Sequence, residues 1–212
     1  MGSDLVSAWL VWGSAALLYV GFRGWYDGFR RRPLTTAEID AYMKRVEVEA
    51  LQVGSDFDEL RRFLEEDDGR EFVMLNLVKL HPEPVPHPET GEPTKARDLV
   101  QGYISDFLPS LLKRGGVPLM QARKVGPYID SWGSEPDPGW TIVGYMRYRS
   151  RRDMLELALD PRFQGGHGLK HAAMPVTFSF PTQPQPVGFL GPRVWVALVL
   201  ALGAALLQLA IG

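Results

Sequence analysis

Two uncharged apolar stretches lie near the two ends of this chain. Residues 5–22 carry no ionised side chain, and residues 194–212 carry none either, with Gln208 as the second stretch's polar residue. Each is close to the ~20 residues that a helix needs to cross hydrocarbon. A helix in a soluble core keeps a polar stripe, and residues 194–212 have none on any face. Trp195 at one end of the second stretch, and Tyr19, Trp25 and Tyr26 at and just past the end of the first, suit the membrane–water interface. The pattern predicts a water-soluble middle domain tethered to a membrane twice, with the bilayer as its first partner.

The alternative for the first stretch is a cleaved signal peptide. Such a peptide opens on basic residues, whereas this chain opens on Met1, Gly2, Ser3 and Asp4. Its positive charges, Arg23, Arg30, Arg31 and Arg32, follow the apolar run, and Arg193 precedes the second one. A retained two-pass anchor is therefore expected, with both tips facing away from the cytoplasm and residues 23–193 inside. Those five arginines are the expected contacts to anionic lipid headgroups. Ser7, Ser14 and Gly21 recur every seven residues, and Ala197, Ala201 and Ala205 every four. Both are rows of small residues of the kind that lets membrane helices approach one another.

Between the anchors, residues 33–186 hold 18 Lys and Arg against 23 Asp and Glu, a net charge of −5. That balance argues against nucleic acid as a partner. The chain has no cysteine, which removes disulfides, thiolate catalysis, iron–sulfur clusters and cysteine zinc sites.

Thr35 and Glu38 form a capping-box signature for a helix over residues 35–50, with Ile39, Tyr42, Val46 and Ala50 on one face. A second helix is expected over 55–67, marked by Ser55 and Asp58 and stopped by Gly69. Residues 71–80 read as a strand covered on both faces. The loop with Pro82, Pro84, Pro86, Pro88 and Pro93 is expected to lack regular structure. A helix over 97–114, with a kink expected at Pro109, ends at Gly115 and Gly116. Strands are expected at 117–125, 140–149 and 176–180, and Ser150 with Asp153 caps another helix, which Pro161 interrupts. The order is two helices, then strand–helix–strand–strand–helix–strand, the α+β, ferredoxin-like βαββαβ arrangement. Helices cover one face of such a sheet, and a second copy is the simplest cover for the other. The expected domains are an anchor with its basic segment (1–32), a helical lead-in (33–69), the sheet domain (70–181), a proline-rich linker (182–193) and the second anchor (194–212).

Several segments within 70–180 carry a family resemblance: VMLNLVKL, a helix ending LLKRGG, a Trp-bearing loop, GWTIVGYMRYRSRRDMLELALDPRFQ, and HAAM before the last strand. Together they resemble the dimeric α/β-barrel proteins, in particular an uncharacterised branch. Relatives of that branch include antibiotic-biosynthesis monooxygenases, muconolactone isomerase-like proteins and haem-binding chlorite dismutase-like proteins. The resemblance implies a small-molecule site in the barrel domain, and one fold of this kind hosts many chemistries. Terminal anchors depart from the usual soluble member.

Candidate site residues are sparse. His167 and His171 stand at i, i+4 and would share a helical face, a spacing able to hold a metal or haem; the competing reading is a surface or dimer-edge pair. His81 and His87 are expected in solvent. Asn76 sits among apolar neighbours and needs partners, either a neighbouring loop or a ligand. Arg147 shares a face with Tyr145 and Val143; if that face lines the barrel it would hold an anion or a carboxylate such as Asp106, and otherwise it is a solvated edge residue. Tyr103, Tyr128, Trp132 and Trp140 would wall an aromatic pocket or fill core. There is no GxSxG, P-loop or Rossmann fingerprint. The candidate ligand set is Asn76, Tyr103, Trp132, Trp140, Arg147 and His171, with no catalytic residue assigned. No cofactor is predicted, and haem on the two histidines is the alternative.

Two functions follow. The first is a non-enzymatic accessory or assembly subunit of a membrane complex, self-associating through its sheet. The alternative is a small-molecule enzyme, a cofactor-free monooxygenase or isomerase acting on a lipophilic substrate.

Overall fold

The computed structural model describes residues 2–28, 32–49, 56–185 and 191–211. Arg30 and Arg31 of the basic segment, Ala50 and Ser55 at expected helix ends, and Pro186 of the linker lie outside the described residues. In chain order the elements are α1 (Gly2–Tyr26), α2 (Thr36–Glu49), α3 (Phe57–Glu65), β1 (Phe72–Lys79), β2 (Val85–Pro86), β3 (Pro93–Thr94) and α4 (Ala96–Lys113). They continue as β4 (Val117–Arg123), β5 (Ile142–Tyr148), α5 (Arg151–Ala158), α6 (Pro161–Gly165), α7 (His167–Ala173), β6 (Val176–Thr182) and α8 (Pro192–Ile211). The chain divides into two units, Met1–Arg31 with Gln185–Gly212, and Arg32–Pro184.

In the first unit, Val6–Tyr26 and Pro192–Ile211 are long and apolar enough to cross a membrane. The end of α1 meets the start of α8. The Tyr19 hydroxyl donates to the Arg193 carbonyl at 3.0 Å, and the Arg193 guanidinium donates to Asp27 at 2.6 and 2.9 Å. Arg23 also pairs with Asp27. Burial raises the Asp27 pKa, but the bonds from Arg193 and Arg23 outweigh it and bring the carboxyl down to about 2. Val11, Ala15, Tyr19, Phe22 and Tyr26 form the less exposed row of α1, spaced as one helical face. Ser14 and Gly21 are exposed, and on α8 the buried alanine is Ala204 rather than Ala201. Ser7, Ala197 and Ala205 of the small-residue rows are partly buried beside the larger side chains.

The second unit is built on an open four-stranded sheet in the order β4-β5-β1-β6. The pairings β1–β5, β1–β6 and β4–β5 are all antiparallel, which makes the unit an α+β fold of ferredoxin-like arrangement. Within this chain the sheet does not close into a barrel. Paired residues share a face, so the register sorts the strands into cross-strand rows. Arg123, Ile142, Val78 and Thr177 form one row, and Gln121, Gly144, Asn76 and Ser179 the next on the same face. Met146 and Met74 follow, and then Tyr148 and Phe72. The opposite face carries Ala122, Val143, Leu77 and Phe178, then Met120, Tyr145, Leu75 and Phe180. A register shift between Pro118 and Met120 restores the alternation in β4.

Capping fixes the helices where the sequence placed them. The Thr35 backbone N–H donates to Glu38 at 2.9 Å while the Glu38 N–H reaches the Thr35 hydroxyl at 3.4 Å, a reciprocal capping box. Glu38 also receives Arg32 through two bonds of 2.8 Å and Arg152 through another of 2.8 Å, which ties α2 to α5. Asp56 caps α3, accepting from the Glu59 N–H at 3.0 Å. Ser150 caps α5 through the Asp153 N–H at 3.1 Å, and buried Asp153 takes Arg149 at 2.6 and 2.8 Å. Helix α4 runs through Pro109 as one element. At its end, Gly115 adopts φ of 74°. A side chain on Gly116 would meet the Arg147 carbonyl at 2.8 Å, so only glycine fits that close approach.

The proline-rich loop differs from its expected irregular path. Residues 85–86 and 93–94 pair as a two-residue hairpin. The turn closes because the His87 N–H donates to the Glu92 carbonyl at 2.9 Å, the His87 ring accepts from the Glu89 N–H at 3.2 Å, and Gly91 supplies φ of 72°. His87 is thus half-buried and bonded rather than solvated.

Three apolar clusters hold the unit. Ile39, Met43, Val46 and Leu64 of the lead-in helices pack on Leu155 and Leu159 of the α5 region. Phe107 and Leu111 of α4 pack on Leu157, Phe163, Met146 and Tyr148. Leu99 and Ala96 pack on Ala173, Leu169 and Val85. Each fully buried Leu or Val contributes about 1.5–3 kcal/mol. None of the clusters includes a residue from the Leu75–Phe180 face.

Candidate functional site

Between the sheet and its helices the packing leaves a cavity of about 860 Å³, within the ~300–1,000 Å³ typical of small-molecule sites. The cause lies in the row Gln121, Gly144, Asn76 and Ser179. No large side chain rises from its centre, and a Cβ built on Gly144 meets nothing within 4 Å. Above the floor stand Val100, Ile104 and Phe107 of α4, Leu157 of α5, and Phe163, His167 and Lys170 of α6 and α7. Helices α4 and α7 come close because Gly102 lacks a side chain; a Cβ there would lie 3.1 Å from Leu169.

The cavity has two ends of different character. Met74, Met146, Tyr148, Phe107 and Phe163 make one end apolar and aromatic. Tyr103 stacks on Phe107 with ring centroids 5.8 Å apart, and Phe72 stacks on Tyr148 at 5.2 Å. Burial raises the pKa of both the Tyr103 and the Tyr148 phenols, so both stay protonated. At the other end lie Arg123 with Thr177, Arg97 on the first turn of α4, Gln101, and Lys170 near the end of α7. Burial lowers the Lys170 pKa. Burial, and then the Lys170 charge, lower that of His167, whose imidazole is therefore neutral at pH 7. The Phe163 ring lies edge-on to His167 at 4.6 Å.

Asn76 lies on the cavity floor, and its partners come from the sheet rather than a loop. Its amide donates to the Met74 carbonyl at 3.1 Å and the Gly144 carbonyl at 3.4 Å, and its oxygen accepts from the Ser179 hydroxyl at 2.9 Å. Tyr103 also lines the cavity. The remaining expected residues lie elsewhere. Arg147, 5% exposed, occupies the opposite face of the sheet and pairs with Glu71 rather than Asp106; its Nε has no hydrogen-bond partner. Trp140 is outside the lining and donates to the Tyr128 hydroxyl at 2.9 Å. Trp132 is 83% exposed in the loop that follows β4. His171 is exposed, 6.4 Å from His167 ring to ring, and only His167 reaches the cavity. Among the described residues no group of three or more His, Asp or Glu side chains is arranged to hold a metal. The arginines expected at headgroups that fall in described segments are ion-paired, Arg23 and Arg193 to Asp27 and Arg32 to Glu38.

Sequence reasoning missed Lys170, Arg97, Arg123, Tyr148 and Gly144. Lys170 stands three residues after His167, on the same helical side, and Gly144 was the lone small residue on its strand face. Those two signals were available.

Comparison with known proteins bears on the fold. No protein-family model matches the chain, and no curated protein matches it. Solved structures do, among them two crystal structures. One is of the methylated RPA0582 protein, with 20% identity and a TM-score of 0.54, covering 65% of this chain and 98% of that one. The other is of the RPA0582 protein of Rhodopseudomonas palustris, a protein of unknown function, with 22% identity and a TM-score of 0.51, covering 63% and 97%. The link is remote and structural. It shows a shared fold and points to no particular monooxygenase or isomerase branch.

Proposed function

We propose that the second unit binds a lipophilic small molecule in the cavity between sheet and helices, and that α1 and α8 hold it at a bilayer. The observation that carries the reading is the hollow over Gly144, walled by apolar side chains and a few placed polar groups. The helix pair supports the tether. Its polar clasp of Asp27, Arg23 and Arg193 gathers at the ends that join the rest of the chain, which suits an interface with both tips on the far side. Exposed Ile129 and Trp132, in the loop leaving the Arg123 end of the cavity, suit entry from a membrane surface. Where chemistry follows binding, neutral His167 is the lining imidazole able to accept a proton, as a cofactor-free oxygenase or isomerase step requires.

The test is native mass spectrometry of the full chain from gentle detergent. The expected result is a copurifying lipophile on the wild type that is lost in Gly144→Leu. A wild type without bound mass, and without uptake of added lipophiles, rejects the reading. For the tether, the chain should remain in the membrane fraction after alkaline extraction.

A second reading is assembly through the sheet. Phe178 and Phe180 are 53% and 39% exposed on the face that no apolar cluster includes. A second copy laid on that face would bury them and close a two-sheet barrel. A monomeric mass across the accessible concentration range would remove this reading and leave the first intact.

A further inference from the structure

The two ends of the cavity narrow the class of ligand. That class rests on the proposed lipophile binding and deepens it. The described wall carries Arg97, Arg123 and Lys170 and not one Asp or Glu, although residues 33–186 are acidic overall, with 18 Lys and Arg against 23 Asp and Glu. Chance placement in such a unit would favour acids. The acids of α4 beyond Arg97, Asp98 and Asp106, are absent from the wall.

These three cations lack the internal counter-charge that several arginines of the unit have. Arg114 has Asp160 at 2.8 Å, Arg149 has Asp153 at 2.6 Å, and Arg152 has Glu38 at 2.8 Å. Among the described residues, Arg97, Arg123 and Lys170 have no carboxylate within ion-pair distance. The Lys170 ammonium is drawn out of water without a counter-charge, which is costly unless something else supplies one.

All three lie toward the same end. Arg123 shares its row with Val78 and Thr177, at the end of β1 from which the chain leads on toward α4. Arg97 opens α4, and Lys170 lies in the closing half of α7, which packs along α4 at Gly102. From that row to Phe72 and Tyr148 the floor runs about 20 Å at ~3.3 Å per residue. It passes over Asn76 and Gly144 to the methionines and aromatic rings. A long trough with a cationic mouth and an apolar, aromatic far end fits one ligand chemistry.

We propose that the ligand is an amphipathic anion, its apolar chain lying along Met74, Met146 and Phe107 and its carboxylate or phosphate head held by Arg97, Arg123 and Lys170. Arginine pairs such heads through two parallel N–H bonds, and lysine adds a point charge.

The experiment uses the full chain in zwitterionic phosphatidylcholine nanodiscs, with empty nanodiscs subtracted. Four probes of one chain length are compared: decanoate, decyl phosphate, decan-1-ol and decyltrimethylammonium. On the wild type, at least one anion should bind about tenfold or more tighter than the alcohol, and the cation no tighter than the alcohol. The tighter of the two anions assigns the head group. In the triple variant Arg97→Gln, Arg123→Gln, Lys170→Gln, the anions should fall to the level of the alcohol, whose own binding stays within about twofold. Equal binding of alcohol and anions to the wild type, or tighter binding of the cation, overturns the inference while the lipophile reading stands. Failure of all four probes overturns both. Since the wild-type ranking is decisive alone, a triple variant that fails to fold does not blunt the test.

Discussion

Adjacent rows on the two faces of one sheet differ in a way that explains most of what this domain offers. On the helix side the central row is Gln121, Gly144, Asn76 and Ser179. One residue along each strand, on the other side, the row is Met120, Tyr145, Leu75 and Phe180. The first row is small or polar at its centre, so helices resting on the sheet bridge a hollow. The second is large and apolar throughout and presents a level surface. Glycine in a strand interior weakens the strand and often marks a site where something else approaches. The hollow is thus encoded by side-chain size at alternate positions, not by the backbone, which both faces share. One face is shaped to enclose a small molecule and the other to meet a flat partner.

Gly144 is where the difference between the two faces is most exposed to test. Leucine there points into open space, so Gly144→Leu should keep the fold and lower affinity for any cavity ligand by at least tenfold, about 1.4 kcal/mol. Isothermal titration beside a thermal melt checks both halves. A folded variant with wild-type affinity would show that the hollow is not the site. On the other face, Phe178→Asp places a charge where a second copy would sit. It should weaken self-association by about tenfold or more in a sedimentation series and leave ligand affinity unchanged. Loss of both together would mean that the two faces do not act separately.

Acid should act on the helix side. The Arg114 and Ser110 bonds overcome a burial effect of opposite sign and hold the Asp160 carboxyl below its usual range. Glu38 is likewise held well below its usual range by Arg32, Arg152 and Thr35. A depressed folded pKa gives stability that is present above the unfolded value, near 3.8 for Asp160 and 4.5 for Glu38, and that is lost as pH falls through the folded one. The melting temperature should therefore drop as pH is lowered below about 4, and less so in Asp160→Asn, which has already lost that part. The smallest effect is expected at Ser179. Removing its bond to Asn76 in Ser179→Ala should cost about 0.5–1.5 kcal/mol by chemical denaturation and change ligand affinity little.

Local structure was well marked in the chain. Thr35 with Glu38 and Ser150 with Asp153 fixed helix starts through side-chain chemistry that operates within four residues. Gly115 and Gly116 ended α4 for reasons equally local. The strand at 71–80 was plain from its apolar run, and the βαββαβ order followed. What stayed hidden depends on the third dimension. Both faces of β5 carry large side chains, so alternation could not say whether Tyr148 or Arg147 would face the helices. The register with β1 and β4 decides that, and it put Arg147 beside Glu71 and away from the cavity. The aromatic residues of the 126–139 loop read as a pocket wall because they are large. In the fold Trp132 is in solvent, since a long turn-rich loop has no neighbouring element to pack against. Lys170 was overlooked because a lone lysine on a helix is usually solvated, and only the packing of α7 along α4 draws it inward.

Helix α7 is seven residues long and includes Gly168, well short of the ~12–15 residues at which an isolated helix becomes marginal in water. It is held from outside. The His81 N–H donates to the Ala173 carbonyl at 3.1 Å, and the Pro88 ring lies beside Gly168. The hairpin strap thus lends α7 a rigidity that its own sequence lacks. Through α7 the same hairpin holds His167 and Lys170 over the cavity.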